Sequence, residues 1–186
     1  KAKALIAEAG YPNGFSTELY AMNADPNPRI AQAIQQDLAT VGIKAEVRAQ
    51  DQANVIAIGG TKEKAPLIWS GGMGWIDDFP DPSDFYGPIL GCGSAVQGGW
   101  NWSWFCNKDI DDRAAKADAM SDPARKVERA ALWKQIFTDI QTDYAPWVPV
   151  FNERRVIARS KRMGGPDEVY IDPTHVINFE AIYVKQ

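Results

Sequence analysis

Apolar and polar residues follow two different periods along the opening segment of the chain, and the switch between them predicts a βαβ unit. Lys1 to Ala9 has helical rhythm, which Gly10 and the turn Tyr11-Pro12-Asn13-Gly14 bring to an end. Phe15 to Met22 alternates as a strand does, and Asn23 to Pro28 reads as a loop. From about Pro28 to Val41 the period becomes helical. Ile30, Ile34, Leu38 and Val41 fall on one face, while Arg29, Gln32, Gln36 and Asp37 point away. After Gly42, the residues Ile43, Ala45 and Val47 alternate with Lys44, Glu46 and Arg48, the signature of a half-buried strand. Strand, helix, strand in this order predicts a parallel pair joined by a crossover.

The pattern then loosens. Asp51 to Lys64 reads as a weaker helix because Gly59-Gly60 lies inside it, and Pro66 to Ser70 as a short buried strand. Gly71 to Pro82 is a long loop at that strand's C-terminal end, where open α/β sheets bind ligands. Ser83 to Leu90 has the character of a helical turn, and Gly91 to Asn107 is irregular and aromatic. Two helices follow, Asp109 to Met120 and Asp122 to about Asp143, the second with Asp122 as cap and Pro123 in its first position. Val127, Ala131, Ile136 and Ile140 mark its expected buried face, with bulk from Trp133, Phe137 and Tyr144. Pro146 closes the helical region, after which Trp147 to Phe151 and Arg155 to Ala158 read as strands.

Composition narrows the class. A chain of 186 residues with 45% hydrophobic content suits one large domain, or one plus a fragment, with a real core. The apolar runs are too short to span a bilayer. The net charge is −4 and is spread along the chain. No basic stripe exists to neutralise a phosphate backbone, so a nucleic-acid partner is not expected. The first residue is not Met, and the chain opens already in helical rhythm, which creates the expectation that an upstream part is missing. A signal peptide would be removed from a mature exported protein in any case.

Catalytic chemistry finds little support. His175 is the one histidine and lies in the tail, and no Ser or Cys sits in a nucleophile elbow. Two cysteines and one histidine fall short of a zinc site, and no metal or cofactor is expected. Phe79, Pro80 and Pro82 interrupt any calcium-loop spacing, and Gly71-Gly72-Met73-Gly74 lacks the Lys-Ser/Thr pair of a phosphate cradle. The carboxylates Asp77, Asp78, Asp81 and Asp84 keep one alternative open, a hydrolase using paired carboxylates. Cys92 and Cys106 admit two readings, a disulfide formed in an oxidising compartment or two buried thiols. Trp69, Trp75, Phe79, Phe85, Tyr86, Trp100, Trp102, Trp104 and Phe105 crowd the same region. Aromatic walls with a few fixed polar groups make a small-molecule pocket, although part of such rings only fills a core. An Asp on such a wall can hold an ammonium, and the rings add cation–π attraction. Trp75 is the ring most expected to be exposed, because Gly74 and the Asp-Pro run keep it out of a regular element.

An ordered set of segments resembles the C-terminal part of the bacterial extracellular solute-binding proteins of family 5, the dipeptide, oligopeptide and nickel binders of ABC importers. The set comprises Lys3 to Phe15, Ala33 to Leu38 with Val41 to Lys44, Gly74-Trp75 through Asp81-Pro82, Phe105-Cys106-Asn107 with Asp111, Arg129, and Ala145 to Pro149. The resemblance implies an α/β fold, a periplasmic-binding-protein-like lobe with a mixed sheet flanked by helices, as a fragment of a two-lobed, hinge-closing type II binder. Residues 1–150 would form the C-terminal ligand-binding lobe. Residues 151–186 would form a return segment to the other lobe, crossing around Pro149 to Asn152. The function implied is capture of a peptide-like or cationic solute and delivery to ABC permease subunits, without catalysis, in the periplasm or at the cell surface. Contact with the membrane would be only through the transporter. The resemblance makes Asp78 the holder of a peptide's α-ammonium, with Trp75 beside it. Asp77 departs from the small or neutral residue common before that Asp. Trp69, Tyr86 and Trp102 complete the candidate ligand contacts. Dipeptide-binding members carry a disulfide in the matching segment, so the resemblance implies that Cys92 and Cys106 are bonded.

Overall fold

The computed structural model describes residues 1–64, 67–71, 73, 75–151, 158–165, 180 and 182–185. It divides into two compact units, Lys1–Trp75 with Pro88–Cys106, and Ile76–Gly87 with Asn107–Gln186. The expected strands Pro66 to Ser70 and Arg155 to Ala158, the loop residue Gly74, the crossing residue Asn152, and His175 fall wholly or partly outside the described residues.

The first unit is a three-layer α/β arrangement. Its elements are α1 (Ala2–Glu8), β1 (Phe15–Met22), α2 (Asn27–Thr40), β2 (Ile43–Gln50), α3 (Gln52–Gly59) and β3 (Leu67–Ile68). The sheet order is β2-β1-β3, and both pairings are parallel, with Phe15 opposite Ile43 and Leu19 opposite Leu67. The central strand β1 is covered on both faces, as parallel strands generally are. Its odd residues Leu19 and Ala21 join Ala31 and Ala45 in one core, packed by Ile34, Leu38, Val47 and Trp69. Its even residues Tyr20 and Met22 pack on the other core, built on Val55, Met73 and Trp102. Period-two alternation thus supplies both cores from one strand.

Two glycines are required by close approach. Gly14 has φ +75°, and a Cβ there would lie 1.9 Å from the Gly42 carbonyl oxygen, so the two strand starts could not lie side by side. Gly59, expected only to weaken its helix, lies against the Trp102 ring, where a Cβ would come within 2.5 Å.

The second unit is mainly helical, with α5 (Lys108–Asp118) and α6 (Lys126–Asp139) extended by a π-helical turn over Ile140–Tyr144. The helix α4 (Pro82–Leu90) begins in this unit. Asn107 caps α5 by accepting the Ile110 N–H at 3.2 Å, and Asp122 accepts that of Ala124 at 2.9 Å. The short strands β4 (Met163–Gly164) and β5 (Tyr183–Val184) pair antiparallel.

Two expectations are corrected here. The buried seam of α6 is Trp133 and Ile136, continued by Ile140, whereas Val127 is 82% exposed and Ala131 is exposed. Val127 precedes Ile136 by nine residues, which at about 100° per residue puts the two on opposite faces. Trp147 to Phe151 forms no strand. Val148, Val150 and Phe151 are exposed, and no described strand pairs with them, so their apolar pattern has no ladder to join. Among the described residues, no helix is long and apolar enough to cross a membrane.

Candidate functional site

In the first unit, the chain from Cys92 to Cys106 is built into an aromatic platform. The two cysteines are disulfide-bonded with their Cα atoms 4.4 Å apart. On the chain-entropy model, closing such a loop stabilises by about 3 kcal/mol. The loop's interior is held by Asn101, which is 2% exposed. Its amide donates to the carbonyls of Gly91 at 3.1 Å and Phe105 at 2.8 Å, and its oxygen accepts from the Ser103 hydroxyl. The loop is tied to the end of α3, where Gly98 N–H meets the Gly60 carbonyl at 2.8 Å and the Trp104 indole donates to Gly59 at 3.1 Å.

On this platform Trp100 stacks on Trp102 with centroids 5.5 Å apart, and Trp75 meets Trp100 edge-on at 6.0 Å. Trp75 is half-buried rather than fully exposed, and its indole nitrogen is buried. Trp102 is a core residue at 6% exposure. Trp69 is not part of this cluster. It packs with the α2-side core, on the opposite face of the sheet, and its indole donates to the buried Asn27 side chain at 2.8 Å.

The second unit holds the acidic segment. Asp81 immediately precedes Pro82, the first residue of α4, and its Oδ1 accepts the Ser83 N–H at 3.0 Å and the Ser83 hydroxyl at 2.8 Å. Asp-Pro at a helix start is favourable because the carboxylate fills an orphan donor and proline lacks one. Arg129 of α6 then grips both oxygens of Asp81, at 2.7 and 2.8 Å. Arg129 is itself fixed by the Ala117 carbonyl at 3.0 Å and by Asp118 at 3.2 Å. The hydrogen bonds from Arg129 hold the Asp81 carboxyl down to about 2, assisted by Ser83 and opposed by burial.

Asp84 is 4% exposed, and its Oδ2 accepts the backbone N–H of Asp78 at 2.6 Å. Asp78 itself is exposed and Asp77 half-buried, and no described residue donates to either carboxylate. Tyr86 is buried beside Trp133, with ring centroids 5.8 Å apart, and its hydroxyl donates to Asp111. Burial first, and that hydrogen bond second, push the Tyr86 hydroxyl well above the usual phenol range. Among the described residues, no group of three or more metal-ligating side chains is assembled.

Sequence reasoning singled out neither Asn101 nor the role of Asp84. Asn101 lies between two tryptophans in an irregular stretch, where no periodic signal marks a buried polar residue. The signal for Asp84 was present, an acidic residue in the third helical position after an Asp-Pro start.

Comparison with known proteins places these features. The family described as bacterial extracellular solute-binding proteins, family 5 Middle, matches residues 1–97. The glutathione-binding protein GsiB of Escherichia coli (strain K12) is 34% identical over 182 residues, which is 97% of this chain and 34% of that protein. The peptide-bound periplasmic binding protein DppA of Helicobacter pylori superposes with a TM-score of 0.81 at 26% identity, over 99% of this chain and 34% of that one. The dipeptide-binding protein of Pseudoalteromonas sp. SM9913, in complex with Met-Leu, gives 0.73 at 26% identity over 98% and 35%. This chain therefore spans about a third of the length of the relatives it matches. A parallel βαβ core, a tryptophan-bearing loop after β3 and a disulfide-closed aromatic loop accompany that likeness, and the chain belongs to the bacterial extracellular solute-binding proteins of family 5.

Proposed function

We propose that this chain is the ligand-recognising part of the substrate-binding component of an ABC importer, which captures a peptide or related small solute and hands it to membrane permease subunits. The observation that carries the reading is the state of Asp78. Its carboxylate is exposed and has no described donor, while the neighbouring Asp81 and Asp84 are engaged. A carboxylate on a loop that follows a parallel strand suits a positively charged amino terminus.

Trp75, three residues earlier, is the apolar wall, and Asp77 adds negative charge that favours cationic solutes. Trp69, Tyr86 and Trp102 stay in the proposal as further candidate rings, although Tyr86 and Trp102 are buried here, Trp69 packs in the α2-side core, and the polar atoms of Trp69 and Tyr86 are already hydrogen-bonded. Capture without turnover fits the same facts. Of the carboxylates a hydrolase would need, Asp81 is locked to Arg129.

Residues 1–150 act in this reading as the C-terminal lobe, and 151–186 as the segment returning to a first lobe. Closure of two lobes over the solute sets affinity through preferential binding to the closed state. The chain 1–186 alone then binds weakly. The work is done in the periplasm or at the cell surface, consistent with the family's extracellular designation.

Calorimetric titration of the full-length protein with defined dipeptides, tripeptides and glutathione tests this, with Asp78→Asn run in parallel. The expected result is binding that the variant loses. Identical affinities for the two proteins would refute the anchor, and peptide hydrolysis that disappears in the variant would refute the binder.

A further inference from the structure

We infer that Asp84 is a positioning residue for Asp78, aiming the anchor carboxylate from a backbone that Asp81 and Arg129 make rigid. The inference rests on the reading of Asp78 as the ammonium anchor.

Asp84 is the most deeply buried carboxylate of the acidic segment, at 4% exposure. A carboxylate can accept about four hydrogen bonds, and burying one with few donors is costly. The described donor to Asp84 is one backbone N–H, that of Asp78, at 2.6 Å. Its oxygen is the described acceptor for the Asp78 N–H, and an apolar residue in its place would leave that donor without a partner. The pairing gives the Asp78 N–H a short, charge-assisted acceptor, and it places Asp84 in the first turn of α4, where the helix N-terminus favours negative charge.

The frame behind that contact is stiff. Asp81 caps α4 and is gripped at both oxygens by Arg129, which reaches from α6 and is held by Ala117 and Asp118 at the end of α5. Between the two pinned points, the Asp81 N–H closes a tight turn on the Phe79 carbonyl at 2.8 Å. The backbone around Asp78 is thus tied to α4, α5 and α6 through the side chains of Asp84, Asp81 and Arg129, while the Asp78 carboxylate has no described donor. Ion pairing to an ammonium is sensitive to displacements on the order of 1 Å. Removing the Asp84 acceptor releases the Asp78 N–H and lets the anchor drift without touching the ligand.

The test uses the full-length protein, with trialanine and glutathione as probes beside their N-acetylated forms, which lack the α-ammonium. Asp84→Ala is expected to weaken binding of the free-amine probes about tenfold, a fraction of a full charge-assisted pair. Binding of the acetylated probes should barely change, so their discrimination ratio falls. Asp84→Asn keeps an acceptor oxygen in the same place and is expected to restore the ratio to within about threefold of wild type. Thermal melting of each variant accompanies the titrations. An Asp84→Ala protein with a lowered Tm and an unchanged ratio overturns the inference, since the residue is then only structural. An Asp84→Asn protein as impaired as Asp84→Ala also overturns it, and assigns Asp84 an electrostatic role instead. If Asp78→Asn leaves the ratio untouched, or the wild-type protein binds none of the probes, the underlying reading of the anchor has failed.

Discussion

Asp77-Asp78 and Asp81-Asp84 lie a few residues apart, carry the same charges, and live in opposite states. The later pair is engaged. Asp81 caps a helix and closes a two-pronged ion pair with Arg129, and Asp84 is buried on a backbone N–H. The earlier pair reaches the surface with no described donor on either carboxylate. The difference teaches that an acidic cluster is not one object. Two of its members are engaged in holding local structure, and the other two have no described donor to their carboxylates.

The sharpest break of this comparison is Arg129→Met. It leaves Asp81 partly buried and unpaired, and the expected cost is about 3 kcal/mol, near the lower bound for losing one partner of a buried pair because the two side chains keep some exposure. Denaturant unfolding reads it, and an unchanged midpoint would mean that the frame does not depend on this pair. Next comes Asp78→Asn in the full-length protein. Affinity for a free-amine peptide should fall about a hundredfold, equivalent to about 2.7 kcal/mol, with no matching change in stability. A loss of stability of similar size would move Asp78 into the engaged group.

Acid separates the pairs further. The Asp81 carboxyl sits at about 2 in the folded chain against an ordinary 3.8, so the unfolded form binds the proton more readily. The stabilisation is present in full above the ordinary value and is lost as pH falls through about 2. It is on the order of 2 kcal/mol at most, since the side chain is 26% exposed and partly screened. Unfolding midpoints of wild type and Asp81→Asn should therefore converge between pH 5 and pH 2. Parallel curves would contradict the assignment. The smallest effect is expected for Asp77→Asn, within about 0.5 kcal/mol in stability, as for surface substitutions generally. Melting curves check this, and a larger shift would show that Asp77 belongs with Asp81.

Much of the first unit was legible because its signals are local. Period-two alternation in Phe15–Met22 and Ile43–Arg48, around an amphipathic helix, specifies a parallel βαβ unit without reference to anything distant, and the structure extends the second strand to Gln50. The ordered family motifs added the disulfide between Cys92 and Cys106, which spacing alone left undecided. The second unit was read less well. The face of α6 was misphased because apolar residues lie on both sides of that helix. Packing against α5 and Tyr86 selects Trp133 and Ile136 over Val127.

Residue identities alone predicted that Gly71 to Pro82 is a loop of carboxylates and aromatics followed by a helical turn from Ser83, and the structure starts that helix at Pro82. Those are properties of single residues and their neighbours. Which carboxylate is open and which is engaged was decided only in three dimensions. Arg129 lies 48 positions from Asp81, and Asn27 lies 42 from the Trp69 indole it receives. Such partners are chosen when helices and strands pack, and no local period records them. Asp81 is claimed by Arg129 and Asp84 by the Asp78 N–H, whereas the Asp78 side chain is exposed.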